Sequence, residues 1–297
     1  MTLSELLDRL RADRGFDVAH ALSAKLDRIN RYFSDCGLDA AVVGVSGGID
    51  SAVALALLCA ARAAPDSPLR RVVGVLAPVS GRGATGQDRA LRRGAAAIAA
   101  AGAEAWQCDL TDAQEGYVAA FAEHGESTAW AEGQLLSVVR TPAFYYAAAL
   151  LQAQGHRSLV VGTTNRDEGA WLGFFGKASD GMVDLQPISD LHKSEVIALA
   201  RLLGVPDEII AATPRGDVYD GREDEEMIGA PYWFVELFLL LRSQGASPVG
   251  LTDADQAIYD RCSAALWTLH RHNAHKYQVG SPAIHLDVYP RAVPGGW

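Results

Sequence analysis

The sequence predicts an α/β fold in which helices flank a doubly wound, mostly parallel sheet. Short apolar runs rich in β-branched residues alternate along the chain with longer segments of helix-forming residues. A glycine-rich turn joins the first of these runs directly to the helix that follows it. Strands that alternate with helices form right-handed crossovers, and these crossovers cover both faces of a parallel sheet. In such a sheet, ligands bind beyond the carboxyl ends of the strands.

The amino-terminal region, residues 1–36, precedes this alternation and is predicted to be an amphipathic helix. Its apolar side chains recur at the three- and four-residue spacing that puts them on one helical face. The helix is a candidate for packing on a second subunit. The periodic positions are Val18, Leu22, Leu26, Ile29 and Phe33.

Four predicted strands and three predicted helices make up the alternation. Because parallel strands end at the same edge of a sheet, we expect the loops that begin at Ser46, Pro78 and Thr163 to converge. Pro65 stops the first helix of the series. The strands are predicted at residues 40–45, 71–79, 104–109 and 158–163, and the helices at residues 51–64, 88–101 and 134–154.

The second half of the chain is less regular. Residues 173–188 are rich in turn formers and are predicted to contain no regular element, and a helix follows at residues 192–204. Residues 213–229 form an acidic loop that is a candidate lid. The apolar run at residues 231–241 is interrupted by Glu236 and falls short of the ~20 residues that span a bilayer. It is predicted to be a core or interface helix, and its apolarity hints at a subunit contact.

The composition is that of one globular domain and disfavours several classes of function. We expect a single domain over residues 1–297, with a helical extension over about residues 225–297. The 26 basic and 36 acidic residues give a net charge of -10, so we expect no nucleic-acid partner. The four cysteines contain no C-x-x-C pair, which argues against a zinc site and a disulfide framework. The first residues do not resemble a secretory leader, so we expect a cytoplasmic protein without a membrane anchor.

The segment from Ser46 to Ser51, Ser-Gly-Gly-Ile-Asp-Ser, lies between a predicted buried strand and a predicted helix. Its adjacent glycines let the backbone approach a phosphate closely, and the helix start presents N–H groups and partial positive charge. Ser46 and Ser51 can donate hydroxyl hydrogen bonds, and Asp50 can reach a magnesium ion on the phosphates. The loop lacks the lysine of the Walker pattern. The competing interpretation is a tight turn in which Asp50 only caps the helix.

This loop resembles the pyrophosphate loop of the ATP pyrophosphatase group, whose members form an adenylate and release pyrophosphate. The resemblance implies an adenine nucleotide alpha hydrolase-like fold, which is a Rossmann-like arrangement. Residues 159–206 are similar to the most distinctive part of one branch of the group, the ammonia-dependent NAD synthetases. The matching residues there are Gly162-Thr163, Asp167-Glu168, Gly173-Phe174-Phe175-Gly176-Lys177, Asp180-Gly181 with Asp184, Pro187 and Lys193-Ser194. Further along, His275-Lys276 and Pro282 resemble the carboxyl-terminal segment of that family.

The resemblance implies roles for most of these positions. ATP would contact Ser46, Gly47, Gly48, Asp50, Ser51, Thr163 and Lys193, and Mg²⁺ on ATP would be held by Asp50 and Glu168. Deamido-NAD, the carboxylate substrate, would contact Arg140, Lys177, Asp184, His275 and Lys276. Catalysis would rest on Asp50, Lys177 and Lys193. Taken singly, each side chain is also explained as a solvated surface group or a helix cap.

The implied reaction has two steps. The nicotinate carboxylate of deamido-NAD attacks the α-phosphate of ATP, which gives an adenylated carboxylate and pyrophosphate. Ammonia then attacks the activated carbonyl and expels AMP. Positioning and charge stabilisation carry both steps, with no side-chain nucleophile. The resemblance also implies a homodimer. Glutamine-using relatives carry an additional amidase domain for which this chain has no room, so we expect free ammonia or ammonia from another protein.

Three departures from the family pattern keep other interpretations open. Val138 stands where a second basic residue is usual, Gly176 where a threonine is usual, and Arg215 where a threonine that contacts ATP is usual. The carboxylate substrate could therefore differ from deamido-NAD. A nucleotide-binding protein without turnover is a further alternative, although the presence of both Asp50 and Glu168 argues against it. Sulfur transfer to tRNA is disfavoured by the acidic charge and the missing cysteine pair.

Overall fold

A computed structural model of the chain describes residues 1–80, 87–215, 222–276, 284–285 and 288–289. The strands in these ranges are β1 (Ala40–Gly44), β2 (Arg71–Leu76), β3 (Glu104–Gln107), β4 (Ser158–Val161), β5 (Leu185–Gln186) and β6 (Ile284–His285). The first six helices are α1 (Leu3–Arg14), α2 (Val18–Asp35), α3 (Ile49–Arg62), α4 (Gln87–Ala101), α5 (Thr111–Ala120) and α6 (Ala129–Ala153). The others are α7 (Arg166–Gly169), α8 (Lys193–Leu202), α9 (Asp207–Ile210), α10 (Asp224–Ile228), α11 (Tyr232–Ser243) and α12 (Asp253–Asn273). Short 3₁₀ turns lie at Ala122–His124 and Ala274–Lys276.

The strands of the described part form one parallel sheet in the order β3-β2-β1-β4-β5-β6. In β1, at the centre, Val42 pairs with Val73 of β2 on one side and with Val160 of β4 on the other. The strand order changes direction between β1 and β4, and sheets of this kind bind ligands at such a switch point. The predicted α/β fold with a doubly wound parallel sheet is confirmed.

The main core lies between the sheet and α3. The β1 residues 40–43 are fully buried, and nearly every residue of α3 is buried as well. α3 packs against α2, α4 and α8 as well as against the central strands. A helix that is enclosed on all sides must be apolar all round, which explains the run of alanine, valine and leucine in its sequence. Because α3 is enclosed in this way, its amino terminus is held firmly at the end of β1.

The amino-terminal region forms two helices where the sequence predicts one. α1 ends at Arg14 and is capped by Gly15, whose φ of 60° is in the left-handed region that favours glycine. Asp17 then caps α2 by accepting the backbone N–H of His20. Ile29 and Phe33, two of the periodic residues, are fully buried in the core with α3. The apolar face of α2 is therefore used inside the chain rather than on a second subunit.

The apolar helix α11 is a core helix. It contacts α1, α7, α8 and α12. Its apolarity is explained by packing within the chain, so the apolar run needs no subunit contact to account for it. No helix in the described ranges is both long enough and apolar enough to cross a bilayer. The cluster that encloses α11 includes Leu3, Leu6, Leu7, Leu10, Phe234, Leu237, Leu241, Cys262 and Leu266.

Other elements differ from the sequence prediction in their bounds or are absent from it. α6 begins at Ala129, where Thr128 caps it, and it continues through Pro142. β4 ends at Val161, two residues before the predicted end. The sequence pattern does not predict α5, and β5 lies inside the segment 173–188 that was expected to be irregular. A two-residue strand leaves no periodic signal in a sequence. The division of the chain into a single domain stays a prediction.

Two buried ion pairs tie the amino-terminal helices to the segment that leads into α8. Lys25 Nζ lies 2.5 Å from Asp190 Oδ1, and both side chains are almost completely buried. Arg14 forms a second buried pair, with its Nε 2.5 Å from Glu195 Oε1. The other Asp190 oxygen accepts the backbone N–H groups of residues 288–289. Removing one partner of a buried pair typically costs about 3–5 kcal/mol, so these contacts fix the start of α8 firmly.

Candidate active site

The loop between β1 and α3 is built around two glycines and two serines. Gly47 has a φ of 81°, and a Cβ at this position would lie 2.1 Å from the Ala90 carbonyl oxygen of α4. Both the backbone conformation and the close approach therefore require glycine. The Ser46 and Ser51 hydroxyls are 3.2 Å apart, and the Ser51 hydroxyl donates to the Gly48 carbonyl at 3.0 Å. These bonds brace the turn.

The amino terminus of α3 is open toward the loop. Gly48 occupies the cap position and supplies no side-chain hydrogen bond to the first N–H groups of the helix. A helix start without a side-chain cap presents N–H donors and partial positive charge, and both favour an anion. The end of β1 therefore carries the donor arrangement that a phosphate group needs.

A cavity lies beyond the carboxyl ends of β1, β2 and β4. Its empty volume is about 960 Å³, which includes the open solvent at its mouth. Ser46, Pro78 and Thr163 line it, so the three loops that were predicted to converge do converge. Arg140 of α6 also lines the cavity, where its Nε donates to the Ala77 carbonyl at 3.0 Å.

Two carboxylates share one ammonium group beside the loop. Lys193 Nζ lies 2.6 Å from Asp50 Oδ2 and 3.2 Å from Glu168 Oε1. The fully buried Asn165 donates from Nδ2 to Asp50 at 3.0 Å and to Glu168 at 2.8 Å. Its Oδ1 accepts the Glu168 backbone N–H and so caps α7. The structure thus brings Asp50, Glu168 and Lys193 together from α3, α7 and α8.

This cluster contains more acidic than basic groups. The Tyr232 hydroxyl lies 2.9 Å from Glu168 Oε1 and 3.3 Å from Asp224 Oδ2, and its ring faces Lys193 Nζ at 4.8 Å. Burial raises the pKa of Glu168 to about 7, and Asp50 and Asp224 add to the rise against the attraction of Lys193. Burial lowers the pKa of Lys193, but the Asp50 and Glu168 carboxylates outweigh it and raise that pKa above its usual value. Three carboxyl groups around one ammonium favour the binding of a further cation.

Asp167 fixes the backbone from which Lys193 extends. Its fully buried carboxylate accepts the Lys193 backbone N–H at 2.7 Å and lies 2.6 Å from His192 Nδ1. Burial lowers the pKa of His192 to about 3, so the ring is neutral at pH 7. Burial also raises the pKa of Asp167 to about 7, although the bond from the Lys193 N–H opposes the rise. A carboxylate at a helix amino terminus satisfies N–H groups that have no partner within the helix.

The residues assigned by resemblance to deamido-NAD do not form one cluster in the described part of the chain. Lys177 and His275 are exposed. Asp184 faces the sheet, where its carboxylate accepts a backbone N–H of β4 at 2.7 Å and the Tyr145 hydroxyl at 3.2 Å. It therefore holds the chain beside β4. Residues 216–221 of the candidate lid, and Pro282 of the carboxyl-terminal motif, lie outside the described residues.

Lys276 is one of three side chains near the carboxyl end of α12 that form hydrogen bonds with backbone carbonyl groups of residues 171–175. Its Nζ donates to two carbonyl groups there, at 2.8 and 2.5 Å. Asn273 donates to a third carbonyl at 2.9 Å, and His270 Nδ1 bonds to a fourth, that of Trp171, at 2.7 Å. The rings of His270 and Trp171 are also stacked, with centroids 3.9 Å apart. These contacts hold the segment that directly follows α7.

Several residues of the cluster carry no predicted role from the sequence. Asn165 and Asp167 follow β4 at the carboxyl edge of the sheet, where ligand sites form. Their position in the sequence could therefore have predicted a place in the site for both residues. Tyr232 and Asp224 give no such signal, because α10 and α11 reach the site only through tertiary packing. The sequence does not predict a role for His192 either, because a single histidine before a helix is more often a packed residue than part of a site.

Comparison with known proteins assigns the chain to a family. The family model described as NAD synthase matches residues 21–280. An NH(3)-dependent NAD(+) synthetase of Methanococcoides burtonii is 30% identical over 237 residues, which cover 79% of this chain and 84% of that protein. The structure of NMN synthetase from Francisella tularensis aligns with a TM-score of 0.70 at 23% identity, over 88% of this chain and 96% of that one. NAD+ synthetase from Burkholderia pseudomallei aligns with a TM-score of 0.65 at 24% identity, over 93% and 96%. At these identities the two structures show a shared fold.

The geometry of the glycine loop predicts that its two glycines differ in their tolerance of a side chain. Gly47→Ala should lower the free energy of unfolding by about 1–3 kcal/mol, because it combines left-handed strain with a collision against α4. Gly48→Ala is the matched control, since Gly48 has a φ of -89° and a Cβ there meets only the Ser46 hydroxyl, at 3.3 Å. Urea denaturation of both variants measures the difference. Equal losses in the two variants would contradict the described loop.

Proposed function

The chain belongs to the NAD synthase family, and from this premise we infer that it is an ammonia-dependent ligase that converts deamido-NAD to NAD. ATP activates the nicotinate carboxylate as an adenylate, and ammonia then displaces AMP to form the amide. The observation that carries the inference is the cluster of Asp50, Glu168 and Lys193 beside the open amino terminus of α3. These groups would stabilise the charge of a triphosphate bound at the start of α3.

The donor set of Asp50 and Glu168 fits a magnesium ion. In the described ranges, no group of three or more His, Cys, Asp or Glu side chains could hold a metal by itself. Mg²⁺ commonly takes one or two carboxylates and completes its shell with phosphate oxygens and water. The two carboxylates already share a cation, and Asp224 adds further negative charge through Tyr232. We propose that Asp50 and Glu168 hold Mg²⁺ that arrives with ATP, where the ion would neutralise charge on the phosphates.

In the first step, a carboxylate oxygen of the substrate bonds to the α-phosphorus of ATP as the bond to the pyrophosphate oxygen breaks. The N–H groups at the start of α3 and the exposed Ser46 hydroxyl would donate to the phosphates. The buried Ser51 hydroxyl already donates to the Gly48 carbonyl and would hold the turn in shape. Lys193 supplies a positive charge near the leaving pyrophosphate, and its raised pKa keeps it protonated at neutral pH. Thr163, on the cavity wall, is placed to contact the nucleotide.

In the second step, ammonia is itself the nucleophile. Its nitrogen bonds to the adenylated carbonyl carbon, the bond from that carbon to the AMP oxygen breaks, and the nitrogen loses a proton. No side chain has to form a covalent intermediate, so positioning of the adenylate is the main requirement. The name of the Methanococcoides burtonii relative specifies NH(3), which supports ammonia as the nitrogen donor.

We propose that the residues assigned to deamido-NAD contribute in two different ways. Arg140 lines the cavity, and Lys177 and His275 are exposed, so these three are placed for direct contact with an anionic ligand. Asp184 and Lys276 are bonded to backbone groups of the chain. They would act by holding the loop that the substrate contacts.

A smaller acid, nicotinate mononucleotide, is the second candidate substrate. The structural relative from Francisella tularensis is named an NMN synthetase, and NMN is the amide that corresponds to this acid. The chain also departs from the family at Val138, Gly176 and Arg215, all in segments assigned to substrate contacts. Arg215 instead donates to Glu223 at 2.8 Å in a surface pair.

Activity measurements on variants of α8 test the proposed chemistry. With ATP, Mg²⁺, ammonium and deamido-NAD, the wild-type chain should form NAD, AMP and pyrophosphate in equal amounts. Lys193→Met should lower kcat about 10²–10³-fold, because it removes a preorganised charge from the transition state. Arg201→Met, on the exposed face of the same helix, is the matched control and should leave kcat unchanged.

The same assay separates the alternatives. Turnover at least tenfold more efficient with nicotinate mononucleotide would select the second candidate substrate. Binding of ATP without pyrophosphate release with either acid would contradict a ligase and favour a binding protein without turnover.

The cysteines support a cytoplasmic location, which we propose for the protein. All four are free thiols, with Cys36 and Cys108 exposed and Cys59 and Cys262 buried. Exposed free thiols persist in a reducing compartment, whereas secreted proteins commonly pair their cysteines. Burial raises the pKa of the Cys59 thiol, which makes it less reactive.

We propose a homodimer that forms through α5 and α6. These two helices and the turn between them contact each other and expose large apolar side chains. Exposed apolar side chains are common at interaction sites, and soluble oligomers are most often twofold dimers of one chain. The exposed residues are Tyr117, Phe121, Trp130, Val138, Tyr146 and Leu150, with exposed fractions from 37% to 66%.

A charge on this surface should separate the subunits. Tyr146→Glu places a carboxylate at the proposed contact and is expected to convert a dimer to a monomer at micromolar concentration. Val249→Glu changes an apolar residue that is 81% exposed elsewhere on the surface, so it should leave the dimer intact. Light scattering after size-exclusion chromatography measures both masses. A monomeric wild-type chain, or a Tyr146→Glu dimer, would refute this surface as the contact.

A further inference from the structure

Helix α4 lies directly against the outer side of the glycine loop. A Cβ on Gly47 would lie 2.1 Å from the Ala90 carbonyl oxygen, and a Cβ on Gly94 would lie 3.2 Å from the Val45 carbonyl oxygen. The backbones of α4 and the loop are therefore in close contact at Ala90 and at Gly94. Arg93 lies between these two positions on α4. This half-buried arginine extends from α4 to the loop, where its Nε donates to the Gly47 carbonyl at 2.9 Å.

This bond fixes the direction of one peptide group. The peptide that joins Gly47 to Gly48 is trans, so the Gly47 carbonyl and the Gly48 N–H point to opposite sides of it. Because Arg93 holds the carbonyl on the α4 side, the N–H points to the other side, toward the Ser46 hydroxyl. That bond is long, at 3.3 Å, so a phosphate oxygen can readily replace the hydroxyl as the acceptor.

We propose that Arg93 is a positioning residue for the phosphates of ATP: by binding the Gly47 carbonyl, it keeps the Gly48 N–H directed at the anion. The proposal rests on the ATP site proposed above.

A glycine pair needs such a constraint because its backbone is unusually free. Gly47 is already in the left-handed region, and without a side chain either glycine rotates at low cost. In the rotated state the Gly47 carbonyl would face the phosphates, and a partial negative charge would replace a donor. Arg93 acts against that state with a charged donor, which forms a stronger hydrogen bond than a neutral one.

Calorimetric binding of ATP and of inorganic pyrophosphate, without the acid or ammonia, tests this role. Arg93→Met should weaken both affinities about 10- to 100-fold, which corresponds to one hydrogen bond from a charged donor. Arg93→Lys keeps a charged donor and should restore most of the affinity. Arg92→Met is the matched control, because Arg92 is the exposed neighbour on α4 and carries the same charge. It should bind ATP as the wild type does.

The results separate positioning from other roles. An equal loss in Arg92→Met would mean a general effect of charge and would overturn the proposal. A loss in Arg93→Met that is accompanied by a raised KM for the acid and a lowered melting temperature would assign Arg93 to the fold and would also overturn it. The expected pattern is a raised KM for ATP with the KM for the acid unchanged. If the wild type binds no ATP, the proposed function fails together with this role, whereas wild-type binding that Arg93→Met preserves refutes only the role of Arg93.

Discussion

The ion cluster in which Asp50 and Glu168 share the ammonium of Lys193 is the interaction on which the site depends. These side chains come from the amino-terminal regions of three helices, and each helix starts near the carboxyl end of a strand. The change in strand order between β1 and β4 brings two of those helices side by side, and Asp167 fixes the start of the third. Burial, with the carboxylates of Asp50 and Asp224, raises the pKa of Glu168, and the surplus of acidic groups makes the site favour cations. In the proposed function, the Mg²⁺ that arrives with ATP would be this cation, and the phosphates would bind at the neighbouring loop.

The rest of the chain supports this cluster from two sides. The buried ion pairs Lys25–Asp190 and Arg14–Glu195 connect the amino-terminal helices to the start of α8 and the segment before it. α12 and the 3₁₀ turn after it hold residues 171–175 through hydrogen bonds to their carbonyl groups and through a stacked pair of rings. Arg242 adds a cation that lies 4.5 Å from the Trp171 ring centroid. A charged cluster needs such a rigid frame, because catalysis by preorganised charge is lost when the groups can relax away from the reacting atoms.

The sequence predicts the central sheet and the phosphate loop because their signals are local. A buried strand, two glycines and a helix start are read directly from residues 40–64, and the motif around Glu168 identifies the family. There is a physical reason why the sequence does not predict the supporting residues. Asn165 and Tyr232 act through contacts with residues distant in the chain, and the apolarity of α11 fits a core and an interface equally well until α1 is seen to cover it. Lys276 shows the same limit, since its motif predicts a substrate contact while its ammonium binds two carbonyl groups of its own chain.

The central claim is that the two carboxylates exchange part of their contact with Lys193 for a metal ion on ATP. A crystal structure with Mn²⁺ and a non-hydrolysable ATP analogue tests this exchange directly, because the anomalous signal of manganese locates the ion independently of the protein atoms. The account predicts a manganese peak within coordination distance of both Asp50 and Glu168, with Lys193 Nζ turned toward the phosphates. A structure in which Lys193 still joins the two carboxylates, with manganese and nucleotide bound elsewhere, would contradict it.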